Sequence, residues 1–106
     1  MTDVLVCLIT APEGEPSAKI ARALVEERLA ACVNIVPGLR SIYTWEGEVC
    51  DDGEALLVVK TRRSLMERLD ERLHELHPYD TPELLALPVE KGAEKYLSWV
   101  TEATTG

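Results

Sequence analysis

An apolar segment spanning residues 31–47 constrains the fold of this chain more than any other feature. The segment is typical of one long strand, interrupted by Pro37 and Gly38. Proline donates no ladder hydrogen bond and glycine relaxes the backbone, so this pair predicts a bulge or corner. A strand of this length outreaches the sheet of a 106-residue chain, and an unpaired overhang offers a second chain a place to bind. We therefore expect oligomer contacts at Val36, Pro37, Gly38, Ile42, Tyr43 and Trp45.

Hydrophobic patterns on both sides of this segment predict further elements. Residues 4–9 form a short β-branched run typical of a buried strand, and apolar residues at helical spacing predict a helix over residues 16–29. Residues 51–53, Asp-Asp-Gly, have the chemistry of a turn and predict a hairpin that a strand over residues 55–60 completes.

The last third of the chain predicts a helix, a strand and a final helix. Ser64 and Glu67 have the spacing of a capping box, and the helix they begin must end near His77 because Pro78 follows. Residues 84–87 predict a fourth strand, and apolar residues within 96–100 indicate a short C-terminal helix.

The order of these elements predicts an α+β protein, a ferredoxin-like βαββαβ sandwich with an extra C-terminal helix, formed by residues 1–106 as one domain. Two helices cover only one face of a four-stranded sheet. The first, third and fourth strands are nevertheless apolar at consecutive positions, which is typical of a sheet buried on both faces. Self-association is therefore the function that the pattern indicates most directly.

Charge and composition exclude some classes of partner. The net charge of −8 opposes binding to nucleic acid, which depends on clustered Lys and Arg. No apolar run is long enough for a membrane helix, and residues 1–4 lack the features of a secretory signal, so we expect a cytoplasmic protein. The three cysteines, Cys7, Cys32 and Cys50, are odd in number and widely spaced, which predicts reduced thiols.

Several ordered motifs give the chain a resemblance to a known family. They are Ala31-Cys32-Val33-Asn34-Ile35 with Pro37-Gly38, Ser41-Ile42-Tyr43 with Trp45-Glu46-Gly47, Lys60-Thr61, His77-Pro78-Tyr79 with Pro82-Glu83, and Tyr96-Leu97 with Trp99. Together they resemble the CutA family of divalent-cation tolerance proteins. The resemblance implies a cytoplasmic, PII-like homotrimer of ferredoxin-like subunits, linked to tolerance of copper and other divalent cations and without an established enzymatic activity.

A weak site for copper(II) or another divalent cation is one hypothesis for the function. His77, Cys7, Cys32 and Glu83, with Asp80, offer imidazole, thiolate and carboxylate ligands. His74 lies three residues before His77, near enough to share a metal on one helix face. The alternative is that His77 ends a helix and that the cysteines are small buried hydrophobic residues.

Two positions depart from the family members that suggest a copper site. Leu76 stands where some members have a second histidine, and Ile9 stands where a cysteine is found. We therefore expect no tight structural metal site.

A ligand cleft between subunits is the competing hypothesis, in which the protein is a PII-like regulator. Aromatic walls with one lysine and one carboxylate suit a small anionic or zwitterionic effector. The cleft residues would be Tyr43, Trp45, Lys60, Tyr79 and Glu83. The alternative is that the aromatic residues are interface packing and that Lys60 pairs with Glu83.

Catalysis is the weakest of the three functional classes. A nucleophile needs a positioned base and an oxyanion site. Cys32 and His77 could pair, but no nucleophile elbow, phosphate loop or metal-hydrolase motif surrounds them. We therefore expect a protein that is not an enzyme.

Overall fold

The computed structural model describes residues 2–105, which form four strands and three helices. In chain order the elements are β1 (Val4–Ala11), α1 (Glu15–Glu26), β2 (Cys32–Trp45), β3 (Glu48–Arg62), α2 (Met66–Leu76), β4 (Leu85–Pro88) and α3 (Glu94–Ala103). A 3₁₀ turn at Arg63–Leu65 leads into α2. The strands make one antiparallel sheet in the order β2-β3-β1-β4. The α+β class and the predicted order of elements are confirmed.

Helices α1 and α2 cover one face of the sheet. Alternate residues of β1 and β3, such as Ile9 and Leu57, point toward them and are fully buried, as period-2 alternation requires. On the helix side, Leu24 of α1 and Leu69 and Leu73 of α2 complete this core. Burying such side chains is the main stabilising contribution in a chain of this size.

The other face of the sheet, which we call the open face, is apolar and largely uncovered. Along each strand, the residues of the open face alternate with the buried core residues. Residues directly opposite each other in antiparallel strands share a face, so Leu8 lies on the same face as its partners Val58 and Leu85. The open face comprises Val6, Leu8, Leu56, Val58, Leu85 and Leu87. Helix α3 covers only its end, where Val100 packs against Val4. Within one chain, the sheet is therefore covered fully on one face only.

The β2–β3 hairpin extends past its own sheet. β3 pairs with β1 over residues 55–62, and residues 39–54 of the hairpin continue beyond the end of β1 as a two-stranded ribbon. We call residues 39–54 the arm. The arm accounts for the elongated shape of the molecule, which measures 44 × 25 × 23 Å, and it has the overhang that the long apolar segment predicts.

The Pro37-Gly38 pair forms the expected irregularity in β2. The pairing register shifts between Val36 and Leu39, and Gly38 adopts φ +78°, a conformation that favours glycine. The Glu13 carboxylate, from the turn after β1, accepts a hydrogen bond from the Gly38 N–H. The bulge is thus tied to the body of the domain at the point where the arm begins.

The hairpin turn does not lie at residues 51–53, so that prediction is wrong. Trp45 pairs with Glu48, which leaves Glu46 and Gly47 as a two-residue turn with φ of 50° and 81°. Positive φ at both central residues matches the right-handed twist of the strands. The acidic residues of the Asp-Asp-Gly sequence are instead part of β3, where each meets a side chain of β2.

Two predicted helix boundaries also need correction. No side-chain capping bond forms at Ser64, whose hydroxyl instead accepts a hydrogen bond from Arg62. Helix α1 ends at Glu26, before the predicted Leu29, because Arg28 turns to φ 60° and the Leu29 N–H binds the Leu24 carbonyl. Leu29 is still buried in the core. Because it continues the apolar spacing of the helix, the sequence pattern predicted one more helical turn than the structure has.

None of the helices in the described range is both long enough and apolar enough to cross a membrane.

Candidate functional site

A cavity of about 930 Å³ lies beside the arm, on the side that carries Tyr43 and Trp45. We call it the arm cavity. Its walls come from the end of β1, from both strands of the arm and from the connection between α2 and β4. The lining residues are Thr10, Ser41, Ile42, Tyr43, Trp45, Asp52, Gly53, Glu54, Tyr79, Asp80, Thr81 and Glu83.

Strand register explains which arm side chains share this wall. Tyr43 and Trp45 are two residues apart on β2 and so point to one side of the ribbon. Ser41 pairs with Asp52, and Leu39 pairs with Glu54, which puts both acidic side chains on that same side. The arm therefore presents an aromatic and acidic surface to the cavity.

Two tyrosine hydroxyls fix two of the carboxylates. The Tyr43 hydroxyl donates to Asp52 Oδ2 at 2.5 Å, and the Tyr79 hydroxyl donates to Glu54 Oε2 at 3.0 Å. The hydrogen bond to Asp52 raises the pKa of Tyr43 far above its usual value. Burial, followed by the bond to Glu54, raises the pKa of Tyr79 to about 12. Both phenols therefore stay neutral and act as donors at physiological pH.

The charge of the arm cavity is negative. Asp52, Glu54, Asp80 and Glu83 contribute carboxylates, and none of the twelve lining residues, all within the described part of the chain, is Lys, Arg or His. Glu54 is only 5% exposed. A carboxylate buried to this extent usually has a cationic partner, and within residues 2–105 no salt bridge reaches Glu54.

His77 holds the α2–β4 connection against the sheet. Its Nε2 lies 2.8 Å from the Thr10 carbonyl, and the Tyr79 N–H donates to its Nδ1 at 3.1 Å. Because Nδ1 accepts, Nε2 carries the proton and donates to Thr10, so both ring nitrogens are engaged. A metal could bind this 6% exposed side chain only if one of these bonds broke. His74 lies apart, with its Nδ1 at 2.9 Å from the Asp70 carbonyl within α2.

Cys7 is a core residue. Its side chain is fully buried in β1, with Sγ at 3.6 Å from the sulfur of Met66. Burial raises the pKa of the thiol to about 11. The thiolate that would bind a metal is therefore strongly disfavoured at neutral pH.

Cys32 and Lys60 lie together at the end of the hairpin opposite Trp45. They are register partners, and the Lys60 ammonium is 3.8 Å from Cys32 Sγ and also binds the Asn34 side chain. Lys60 makes no ion pair with Glu83 in the described chain. Within one chain, Lys60 does not line the arm cavity.

The four predicted metal ligands do not converge. His77 and Glu83 lie near the arm cavity, Cys7 is inside the core, and Cys32 is at the far end of β2. Within residues 2–105, no three side chains of His, Cys, Asp or Glu are arranged to hold a metal ion. Of the predicted cleft residues, the structure brings Tyr43, Trp45, Tyr79 and Glu83 together around one cavity.

Sequence reasoning missed two acidic residues of the cavity, Asp52 and Glu54. It assigned Asp52 to a turn at residues 51–53 and left Glu54 between that turn and the strand predicted over residues 55–60. The Glu46-Gly47 pair was the signal that could have found them. A two-residue turn there puts Ser41 opposite Asp52 and therefore beside Tyr43 on one face.

Comparison with known proteins gives consistent matches over nearly the whole chain. Residues 5–103 match a family model described as CutA1 divalent ion tolerance protein. The divalent-cation tolerance protein CutA of Thermus thermophilus is 58% identical over 99 residues, which cover 93% of this chain and 96% of that protein. A solved structure of the Thermus thermophilus protein superimposes with a TM-score of 0.94 at 56% identity, covering 96% of this chain and 99% of the other.

A plant relative shows the same similarity over part of a longer protein. The protein CutA of Arabidopsis thaliana, named chloroplastic, is 50% identical over 100 residues. The match covers 94% of this chain and 55% of the plant protein.

Proposed function

Because the chain belongs to the CutA1 family of divalent ion tolerance proteins, we propose that it serves divalent-cation tolerance as a cytoplasmic homotrimer without catalytic activity. In this proposal, residues 1–106 form one ferredoxin-like domain, similar in architecture to PII proteins, and direct binding of copper or other divalent cations is weak.

Two exposed apolar surfaces support the homotrimer. The open face leaves Leu85 and Leu87 about half exposed, and the arm presents Ile42 at 65% and Val49 at 76% exposure. Exposed apolar surfaces of this extent usually mark interfaces. An isologous dimer uses one patch twice, whereas an arm that contacts a different surface of its neighbour makes a heterologous contact, which forms a ring when the rotation between subunits closes.

The proposal of weak cation binding is supported mainly by one observation, which is that the predicted thiol and imidazole ligands lie apart. Cys7, Cys32 and His77 lie apart or have their donor atoms engaged. Carboxylates such as Asp52 and Glu83 are instead grouped in the arm cavity. Carboxylate oxygens attract divalent cations, but selective copper binding needs softer donors held in a fixed geometry.

Calorimetric titration of the assembled protein with Cu²⁺ and Mg²⁺ tests this proposal. We expect Cu²⁺ to bind with a Kd weaker than about 10 μM, and we expect Cys32→Ser to leave that Kd unchanged. Asp52→Asn combined with Glu83→Gln should weaken binding severalfold. A submicromolar copper site that disappears in Cys32→Ser would contradict weak, carboxylate-based binding.

A second function, regulation by a small effector, is favoured by the aromatic walls of the arm cavity. Tyr43, Trp45 and Tyr79 are each between 41% and 51% exposed and surround a volume suited to a small molecule. The predicted Lys60 can join this site only from a neighbouring chain. Tryptophan fluorescence with a metabolite library tests for an effector, and a genuine response should persist in Trp99→Phe, which leaves Trp45 in the cavity as the reporter.

A further inference from the structure

The arm leaves the body of the domain at one narrow place, where two hydrogen bonds from other parts of the chain hold it. On the side of the arm cavity, the Tyr79 hydroxyl donates to the buried carboxylate of Glu54. At the bulge, the Gly38 N–H donates to the carboxylate of Glu13. Both bonds form within one chain, so neither needs a neighbouring chain to be made.

Strand geometry puts these two bonds on opposite faces of the arm. Neighbouring residues of a strand point to opposite faces, so Gly53 and Glu54 face opposite ways. A side chain at Gly53 would begin 4.0 Å from Glu13 Oε2, which places the Glu13 carboxylate on the Gly53 face. One carboxylate therefore lies at the base of both strands of the arm, bonded to Gly38 on β2 and beside Gly53 on β3.

The bulge makes the bond to Glu13 decisive for the direction of the arm. Pro37 and Gly38 have no register partner in β3, and proline has no N–H to donate. A bulged strand bends at the unpaired residues. Because Glu13 supplies the acceptor that the ladder does not, it fixes the direction in which the arm leaves the domain.

The turn that carries Glu13 is itself anchored to α1. The buried Ser17 hydroxyl donates to the Pro12 carbonyl at 2.6 Å, and the Ala18 N–H donates to the Gly14 carbonyl at 3.1 Å. Glu13 lies between these two anchored residues, and its side chain is exposed. A hydrogen bond that water can reach opens more readily than a buried one. At the base of the arm, the bond to Glu13 is therefore the one that opens first.

We propose that Glu13 is a latch that sets the direction of the arm, and that opening of this latch limits the rate at which subunits exchange between assembled molecules. This inference rests on the proposed homotrimer, in which the arm contacts a neighbouring chain. An arm already held in its bound direction loses less conformational freedom on binding. When the latch opens, the arm bends at Pro37 and Gly38 and withdraws from its neighbour.

Subunit exchange tests the latch in the assembled protein. Unlabelled and isotopically heavy assemblies are mixed, and native mass spectrometry follows the formation of mixed assemblies. Glu13→Ala removes the acceptor, and we expect exchange to become about tenfold faster or more, because a hydrogen bond to a charged group is lost. The side chain is exposed at a turn, so the variant should fold.

Two further variants separate the hydrogen bond from the charge and from the position in sequence. Glu13→Gln keeps an oxygen acceptor on a side chain of the same length, and it should exchange within about threefold of the unmodified rate. Glu15→Ala is the matched control, because Glu15 is exposed in the first turn of α1 and makes no hydrogen bond to the arm in the described chain. It should change the rate less than about twofold.

Hydrogen exchange of the Gly38 amide reports the same bond by NMR. The amide is protected while it donates to Glu13, so its exchange should be about tenfold faster in Glu13→Ala and unchanged in Glu15→Ala.

Two results would overturn the inference. They are an unchanged rate of subunit exchange in Glu13→Ala, and an equal acceleration in Glu13→Ala and Glu13→Gln, which would assign the effect to the lost charge. A trimer whose exchange is indifferent to Glu13 would reject the latch and leave the proposed assembly standing. A monomeric unmodified protein would reject the homotrimer itself, and the role of the latch with it.

Discussion

At the scale of single residues, His77 is a clamp between the end of β1 and the α2–β4 connection. Its two ring nitrogens bind backbone groups on both elements, and its ring lies 4.6 Å from that of Tyr79. The clamp places Tyr79 over Glu54, so His77 positions one wall of the arm cavity while its own nitrogens are occupied.

We predict that His77→Ala destabilises the protein by about 2–4 kcal/mol, because it leaves the Thr10 carbonyl and the Tyr79 N–H without partners. Urea unfolding at one protein concentration measures this change. His74→Ala is the matched control, since His74 is exposed on α2, and it should cost less than about 0.5 kcal/mol. Equal stability of the two variants would show that the clamp is not important for stability.

The raised pKa of Tyr79 predicts that the free energy of unfolding changes with pH in the alkaline range. Its pKa is raised to about 12 in the folded chain, first by burial and then by Glu54, against an ordinary value of 10. Between these two values the unfolded chain releases the phenol proton and the folded chain keeps it. The free energy of unfolding therefore falls as pH rises through this range, and the stabilisation is fully present below pH 10.

Tyr79→Phe should weaken this pH dependence, because phenylalanine has no proton to release. Urea unfolding at several pH values from 9 upward measures the slope of the free energy against pH. Val25→Ala on the exposed side of α1, which neither removes nor adds a titrating group, should keep the slope of the unmodified protein. An unchanged slope in Tyr79→Phe would contradict the assignment.

At the scale of elements, the arm shows how strand pairing overrides local turn chemistry. Asp51 and Asp52 favour a turn by composition, yet β3 holds both in a strand where Arg40 and Tyr43 bind them across the ribbon. Glu46 and Gly47 form the two-residue turn that the strand twist requires. The turn position then decides which side chains line the cavity.

Two glycines of the arm distinguish the observed turn from the predicted one. Gly47 has φ +81° with no atom near the position of a Cβ, so Gly47→Ala should cost about 1–2 kcal/mol through backbone strain alone. Gly53 is extended in β3, and Gly53→Ala should be nearly neutral or slightly stabilising. Urea unfolding of both variants tests this order, and a larger cost at Gly53 would place the turn at residues 51–53.

Hydrophobic periodicity predicted the order of the elements, and the Pro37-Gly38 pair predicted the bulge, because both are properties of neighbouring residues. It could not predict the arm cavity, because that site depends on which residues face each other across β2 and β3. The case of Lys60 shows this limit. Lys60 follows an apolar strand, but only the register reveals that it lies beside Cys32 and not beside Trp45.

At the scale of the whole molecule, one chain leaves its sheet incompletely covered. Helices α1 and α2 bury one face, α3 covers one end of the other, and the arm extends beyond both. The consecutive apolar residues of β1, β3 and β4 predicted that both faces of the sheet are buried. The sequence pattern does not show which part of the assembly covers the second face. A homotrimer, in which neighbouring chains cover the open face and contact the arms, accounts for both surfaces.

Substitutions at these surfaces should separate the subunits. Ile42→Asp on the arm and Leu87→Asp on the open face would each bury an unpaired charge in the assembly. Val25→Asp on α1 is the matched control, because Val25 is an exposed apolar residue outside both surfaces. We expect the two interface variants to dissociate at micromolar concentration and Val25→Asp to remain assembled.

Sedimentation equilibrium of the unmodified protein tests assembly most directly. At micromolar concentration, we predict a single species with the mass of three 11.8-kDa chains. A monomer of 11.8 kDa under the same conditions would contradict the account, because the open face and the arm would then be exposed to water without a partner.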